Sequence, residues 1–177
     1  MAITGTGSAA PSVKLTNADL AQMVETSDEW ITTRTGIKER SVATPQESVV
    51  SLGTQAALQA LAMAQVEASE IDLVILATST PDDLFGSAAS IQTAVGATQA
   101  VGFDLTAACS GFVFGLVNAT QFIRTGVYRK VLLVGADLLS RWVDWSDRAT
   151  CILFGDGAGA VVIEATDPDR DRLLGFE

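Results

Sequence analysis

The chain has 177 residues, 48% of them hydrophobic and only 18% charged, which is enough to bury the core of one ordinary domain and too apolar for a disordered segment. Eleven basic residues stand against twenty-one acidic ones, and the resulting net charge of -10 disfavours indiscriminate binding to nucleic acid or to an anionic membrane. Two cysteines are too few for a disulfide framework and the first residues lack a secretory signal, so the default setting is cytoplasmic, or plastid stroma in a plant or alga.

Apolar runs suited to buried strands alternate with helical runs along the chain, the pattern of an α/β fold around a largely buried sheet. A short opening strand precedes Gly5-Thr6-Gly7, a helix is expected from Asn17 to Glu25, and Asp28-Glu29-Trp30 opens another short one. A longer helix follows from Glu47 to Ala64, then a strand from Ile71 to Thr78, a helix from Ser87 to Val95, a strand from Val101 to Thr106 and a helix from Ser110 to Thr125. The uncharged stretch from Leu105 to Ile123 is interrupted by Thr106, Ser110, Asn118, Thr120 and Gln121, and it contains Gly111 and Gly115. A buried helix explains it better than a membrane span. Lys130 to Ala136 is again a strand, and the last pattern reads as a hairpin: Cys151 to Phe154, a glycine turn from Gly155 to Gly159, and Ala160 to Glu164. Asp167 to Arg172 reads as a solvated loop and Leu173 to Phe176 as the start of a further apolar element, so the chain reads as truncated at Glu177.

The segment from Phe103 to Gly111 runs from a strand through small residues into the long apolar helix, which puts Cys109 at a helix N-terminus. Unpaired amides and the helix dipole there favour a thiolate, and the position suits a sulfur aimed at the end of a substrate tunnel. The chemistry implied is acyl transfer onto sulfur. Placement alone leaves open the other reading, that Cys109 is one more small buried residue. Cys151, read as mid-strand, fits that inert role better, because no helix end activates it. Neither cysteine has metal-ligand spacing, and the chain has no histidine, so no metal site is expected and any proton-moving base comes from elsewhere. Gly5 to Ser8 lacks the third glycine of a dinucleotide fingerprint, and Gly155 to Gly159 lacks the Lys-Ser/Thr of a phosphate loop, so turns and close packing suffice for both. Asp144, Asp147 and Asp156 read as turn or capping carboxylates, with Asp147 placed to orient Arg148.

The segments Thr26-Ser27-Asp28-Glu29-Trp30-Ile31, Thr33-Arg34-Thr35-Gly36-Ile37, Ala107-Ala108-Cys109-Ser110-Gly111-Phe112 and Phe154-Gly155-Asp156-Gly157-Ala158-Gly159-Ala160 resemble, in order and spacing, β-ketoacyl-acyl-carrier-protein synthase III. The resemblance covers essentially the whole chain and belongs to the thiolase-like superfamily. It implies an α/β, thiolase-like fold, one βαβαβαββ half of a five-layer αβαβα sandwich. Residues 1–177 would form the N-terminal domain, and the C-terminal half would be absent from this chain.

The activity implied by the resemblance is that of a condensing acyltransferase initiating fatty-acid synthesis. Cys109 takes the acetyl group of acetyl-CoA, and decarboxylative condensation with malonyl-acyl carrier protein then gives acetoacetyl-acyl carrier protein and CO2. The Cys109 N–H would supply half of an oxyanion hole. Trp30 and Arg148 would flank the adenine of CoA, a flat π system on which an indole and a guanidinium both stack, and Thr26 and Arg34 would touch its nucleotide end. Phe85 would cross a dimer interface and close the partner's acyl pocket, favouring a short primer. Coenzyme A enters as a thioester substrate, with no tightly bound cofactor.

The partners implied are acyl carrier protein, a second copy in a homodimer, and a second chain or segment carrying the C-terminal half with the histidine and asparagine that condensation needs. Arg34, Lys38, Arg40 and Arg148 are the cations available to the acidic carrier protein. Another thiolase-like acyltransferase differs in acceptor-docking residues, most of them downstream. A non-catalytic CoA-binding or dimerisation half is the remaining alternative, and Cys109 argues against it.

Overall fold

A computed structural model describes residues 1–167, so all but the first residue of the loop read from Asp167 to Arg172, and the apolar stretch from Leu173, lie outside the described residues. In chain order, β1 (Ala2–Ala9) is followed by β2 (Lys14–Thr16), α1 (Asn17–Leu20), α2 (Asp28–Thr35) and β3 (Glu39–Ser41). Then come α3 (Val49–Ala64), β4 (Leu73–Ala77), α4 (Ala88–Val95), β5 (Val101–Leu105), α5 (Gly111–Arg124) and β6 (Lys130–Leu138). A short helix α6 (Arg148–Cys151) and a strand β7 (Asp156–Glu164) follow. The chain divides into two compact units: a larger one of Met1–Ala9, Val49–Asp137 and the described residues from Ala158 on, and a smaller one of Ala10–Ser48 and Leu138–Gly157.

The larger unit is built on a five-stranded sheet of order β1-β7-β6-β4-β5, with β4 parallel to β5 and β6, and β1 antiparallel to β7. With the smaller unit set aside, the order β1-α3-β4-α4-β5-α5-β6-β7 is the βαβαβαββ pattern that the resemblance implies. Every residue of β4 is buried, as a parallel strand covered on both faces requires. Leu73 and Ile75 join Val131, Leu133, Val161 and Ile163 of the neighbouring strands in one cluster with Ala119 and Ile123 of α5. Helix α3 lies directly on β1: a Cβ on Gly5 would collide with the Ala60 carbonyl, and one on Gly7 with that of Ala56. These glycines therefore sit inside an eight-residue strand as close-packing residues, not after the end of a short one. The uncharged stretch is shared between β5 and α5, and no helix among the described residues is long and apolar enough to cross a membrane.

In the smaller unit β2 and β3 pair antiparallel, with Leu15 opposite Arg40. Helix α1 opens on a capping box between Thr16 and Asp19, yet it ends at Leu20. The next amides, of Gln22 and Met23, bond back to the carbonyls of Asp19 and Leu20, so the helix expected to reach Glu25 tightens into a turn. Helix α2 begins where the sequence predicts, with the Ser27 hydroxyl accepting from the Trp30 amide, and stops at Gly36 with φ of 73°. Leu20, Ile31, Cys151 and Ile152 form the core of this unit.

The expected terminal hairpin does not form. Asp147 starts a helix by accepting from the Ala149 amide and the Thr150 hydroxyl, and the Arg40 guanidinium takes the Ile152 carbonyl, so the apolar run after Thr150 turns where it was expected to extend. Cys151 consequently ends α6 and does not lie mid-strand. Strand β7 then runs unbroken from Asp156 to Glu164, with Gly157 and Gly159 inside it and Gly159 paired to Ser8. Gly155 is a close-packing residue, since a Cβ there would come 2.9 Å from the Ser41 carbonyl oxygen.

Candidate active site

The end of β5 is tied to β4: the Thr78 amide donates to the Leu105 carbonyl and the Thr106 hydroxyl donates to the Thr78 carbonyl at 2.9 Å. The chain then passes through a 3₁₀ turn, Ala108–Ser110, before α5 begins at Gly111. Cys109 sits in that turn and is exposed, at the end of α5 where the helix dipole is positive. Ala108 has φ of 46°, a left-handed conformation that a residue with a Cβ adopts only when its surroundings impose it. The imposition comes from packing on the far side. A Cβ on Gly111 would lie 3.3 Å from that of Ala77, and one on Gly115 would come 2.5 Å from the Leu133 side chain, so α5 is pressed against β4 and β6. The helix starts directly over the strand ends, and the turn bearing Cys109 absorbs the strain. On the loop between β4 and α4, Phe85 is 96% exposed beside Leu84 at 92%.

In the smaller unit, the Trp30 ring carries two guanidinium contacts, with Arg34 Cζ 4.3 Å and Arg148 Cζ 4.8 Å from its centroid. Arg34 lies one helical turn beyond Trp30 and donates to the Trp30 carbonyl at 3.3 Å, while Arg148 donates to the Glu25 carbonyl at 3.1 Å. Asp147 caps α6, so it acts on Arg148 through the start of that helix. A cleft of about 320 Å³ is lined by Ser27, Glu29, Trp30, Thr33 and Arg34. Thr26 Oγ1 is buried with no hydrogen-bond partner among the described residues. Trp30, Arg34 and Arg148 thus come together, with Arg148 already lying on the ring. A base between Trp30 and Arg148 needs roughly 7 Å, twice a van der Waals contact, so an adenine stacked between them must displace this guanidinium.

Arg40 belongs to the interior and not to a surface patch for an acidic partner. It is 5% exposed and donates to the Leu15 carbonyl at 3.1 Å, to Asn17 Oδ1 at 3.0 Å and to the Ile152 carbonyl at 3.0 Å, and burial pulls its guanidinium below the ordinary arginine value. Asn17 in turn donates to Asp28 at 2.8 Å, which draws that carboxyl below its usual range. Cys151 is fully buried, and burial is the main reason its thiol is pushed up, as suits an inert core residue. Asp156 accepts from the Ala43 amide at 2.6 Å and from the Ser140 amide at 2.8 Å, a latch between segments and not an acid for catalysis.

Three carboxylates absent from the sequence reading shape the larger unit. Asp137 accepts from Thr78, Ser79 and Thr80, Asp82 from the amides of Val49 and Val50, and Asp104 from those of Ser87 and Ala88. A lone charge inside an apolar run, such as Asp104 between Phe103 and Leu105, is the sequence signal for such a role.

A sheet of this order with a cysteine at the β5–α5 turn defines a thiolase-like α/β chain. The profile of the family described as 3-oxoacyl-acyl-carrier-protein (ACP) synthase III matches residues 103–177, the stretch that opens on β5 and includes Cys109. The β-ketoacyl-acyl-carrier-protein synthase III of Acaryochloris marina is 67% identical over 176 residues, covering 99% of this chain and 52% of that relative. The crystal structure of 3-oxoacyl-acyl-carrier-protein synthase III from Aquifex aeolicus matches with a TM-score of 0.91 at 51% identity, over 93% of this chain and 54% of that one. The enzyme of the same name from Thermus thermophilus gives 0.90 at 43% identity, over 95% and 52%. The chain is similar to the β-ketoacyl-acyl-carrier-protein synthase III enzymes, and it spans about half the length of the curated relatives it matches.

Proposed function

We propose that this chain is the N-terminal, nucleophile-bearing domain of a condensing acyltransferase that starts fatty-acid chains. The observation that carries the proposal is Cys109, exposed in a strained turn at the positive end of α5. Its sulfur attacks the carbonyl carbon of acetyl-CoA, the carbon–sulfur bond to CoA breaks, and the CoA thiolate leaves and takes up a proton. The Cys109 amide is one donor to the oxyanion formed on the way. In the second half-reaction, malonyl-acyl carrier protein loses CO2, and the resulting enolate carbon attacks the acetyl carbonyl. Cys109 leaves as a thiolate and acetoacetyl-acyl carrier protein is released.

That second step draws on a histidine and an asparagine from sequence outside this chain, which itself contains no histidine. No resident cofactor is needed, because the sulfur supplies the electron pair in loading and the departing carboxylate supplies it in condensation. Trp30, Arg34, Arg148 and Thr26 hold the nucleotide end of CoA, and Arg148 leaves the Trp30 ring when the adenine stacks there. Phe85, nearly fully exposed, closes the acyl pocket of a second copy in a homodimer. The working compartment is the cytoplasm, where two unpaired thiols are at home.

Intact-mass spectrometry after exposure to acetyl-CoA, with peptide mapping, tests the reading. One acetyl group on Cys109 is expected, absent from Cys109→Ala and retained in Cys151→Ser. An acetyl group on Cys151, or none on either cysteine in the complete native protein, overturns it.

A further inference from the structure

The loop that carries Phe85 is anchored at both ends by carboxylates. On one side, Asp82 accepts from the amides of Val49 at 3.0 Å and Val50 at 2.8 Å, at the start of α3, while its own N–H donates to the buried Ser87 hydroxyl at 3.0 Å. On the other side, Asp104 accepts from the amides of Ser87 at 2.8 Å and Ala88 at 2.7 Å, at the start of α4. These bonds are charge-assisted and lie where a helix favours an anion. Between the anchors, Gly86 takes φ of 93°, and a Cβ on it would come 3.0 Å from the Asp104 carboxyl carbon. Leu84 and Phe85 are held out from this base, 92% and 96% exposed. Asp104 is also a residue of β5, the strand that leads into the Cys109 turn, so one side chain joins the base of the Phe85 loop to the strand delivering the nucleophile.

We propose that Asp104 is a positioning residue for acyl-chain selectivity, fixing the base of the loop that presents Phe85 to the acyl pocket of a second copy. The inference rests on the reading of Cys109 as acyl acceptor and of Phe85 as the residue that closes an acyl pocket. An aromatic side chain that limits pocket depth works only if its base does not yield, because displacement by about an ångström makes room for further methylenes. Replacing Asp104 by Asn leaves the shape and removes the charge from the anchor. Gly86→Ala strains the same anchor from the loop side, its Cβ crowding the Asp104 carboxylate while leaving the charge in place.

The test measures loading of Cys109 by acetyl-CoA and by hexanoyl-CoA in the complete native protein, comparing kcat/KM for the two thioesters in wild type, Phe85→Ala, Asp104→Asn and Gly86→Ala. Phe85→Ala is expected to shift the hexanoyl-to-acetyl ratio upward by about ten-fold or more, and Asp104→Asn and Gly86→Ala by roughly three- to ten-fold. If Phe85→Ala shifts the ratio while the other two leave it unchanged, the positioning role is wrong and the pocket reading stands. If Phe85→Ala leaves it unchanged, the pocket reading fails and the inference falls with it. An equal loss with both thioesters assigns Asp104 to folding alone and also overturns the inference, and Gly86→Ala decides the matter should Asp104→Asn not fold.

Discussion

Arg40 organises the smaller unit from within. Its guanidinium reaches a β2 carbonyl, the Asn17 amide oxygen and the carbonyl that follows α6, so one cation satisfies oxygens from separate segments around the core of Leu20, Ile31, Cys151 and Ile152. Arg40→Met keeps much of the volume but leaves all these acceptors without their donor. The expected loss is about 3 kcal/mol, roughly 1 kcal/mol for each bond removed, read as a lowered midpoint in urea unfolding. Arg40→Lys, with a point charge and no planar fork, recovers only part of it. A loss in Arg40→Met within about 0.5 kcal/mol, the scale of an ordinary surface substitution, means the network contributes nothing.

At the scale of elements, the contact of α3 with β1 depends on the missing side chains of Gly5 and Gly7, since what a Cβ would meet is helix backbone. Gly7→Ala is therefore expected to cost about 2 kcal/mol or more, because overpacking against a carbonyl cannot be relieved by a rotamer change. Gly126→Ala is the control: its φ is 75° but nothing lies within 4 Å, so only the left-handed penalty of about 1 kcal/mol applies. Equal thermal shifts for the two variants mean that α3 lifts away from β1 at little cost.

The same elements mark how far the sequence is legible. Strands β4 and β6 and helices α3, α4 and α5 follow from local apolar spacing, and the position of Cys109 just before a helix follows from the small-residue turn between strand and helix. Trp30 and Arg34, one helical turn apart, are legible as a pair, whereas Arg148 on the same ring comes from a distant segment. The run Cys151-Ile152-Leu153-Phe154 has strand composition, and only the grip of Arg40 on Ile152 and the Asp147 cap keep it from extending. Arg40 itself follows Lys38 and Glu39 in a charged run, where nothing local says that it turns inward.

For the whole molecule, the lack of histidine leaves a wide gap between the groups whose titration the fold perturbs. On the acid side, the carboxyls of Asp19, Asp28, Asp144 and Asp147 are lowered from 3.8 and that of Glu70 from 4.5, chiefly by side-chain donors: Thr16, Asn17, Ser146, Thr150 and Lys130 respectively. The unfolded chain takes up these protons first, so their contribution is present above 3.8 to 4.5 and is lost as pH falls through the folded values. On the alkaline side, burial raises the Cys151 thiol above 9.0, and the hydrogen bond to Glu70 raises Lys130 above 10.5. Here the unfolded chain gives up protons first, so the contribution is full below 9.0 and is lost as pH rises through the folded values. The denaturation midpoint, followed at fixed ionic strength from about pH 3 to about pH 10, is expected to form a plateau with a falling flank at each end. Cys151→Ala keeps the acid flank and removes the decline that begins at 9.0, whatever it does to the height of the plateau. Added salt raises the plateau without tilting it, because it screens the repulsion of a net charge of -10 that stays nearly constant across the gap. A midpoint that slopes steadily through neutral pH requires a perturbed group inside the gap and contradicts this assignment, since no side chain with an ordinary value there is present.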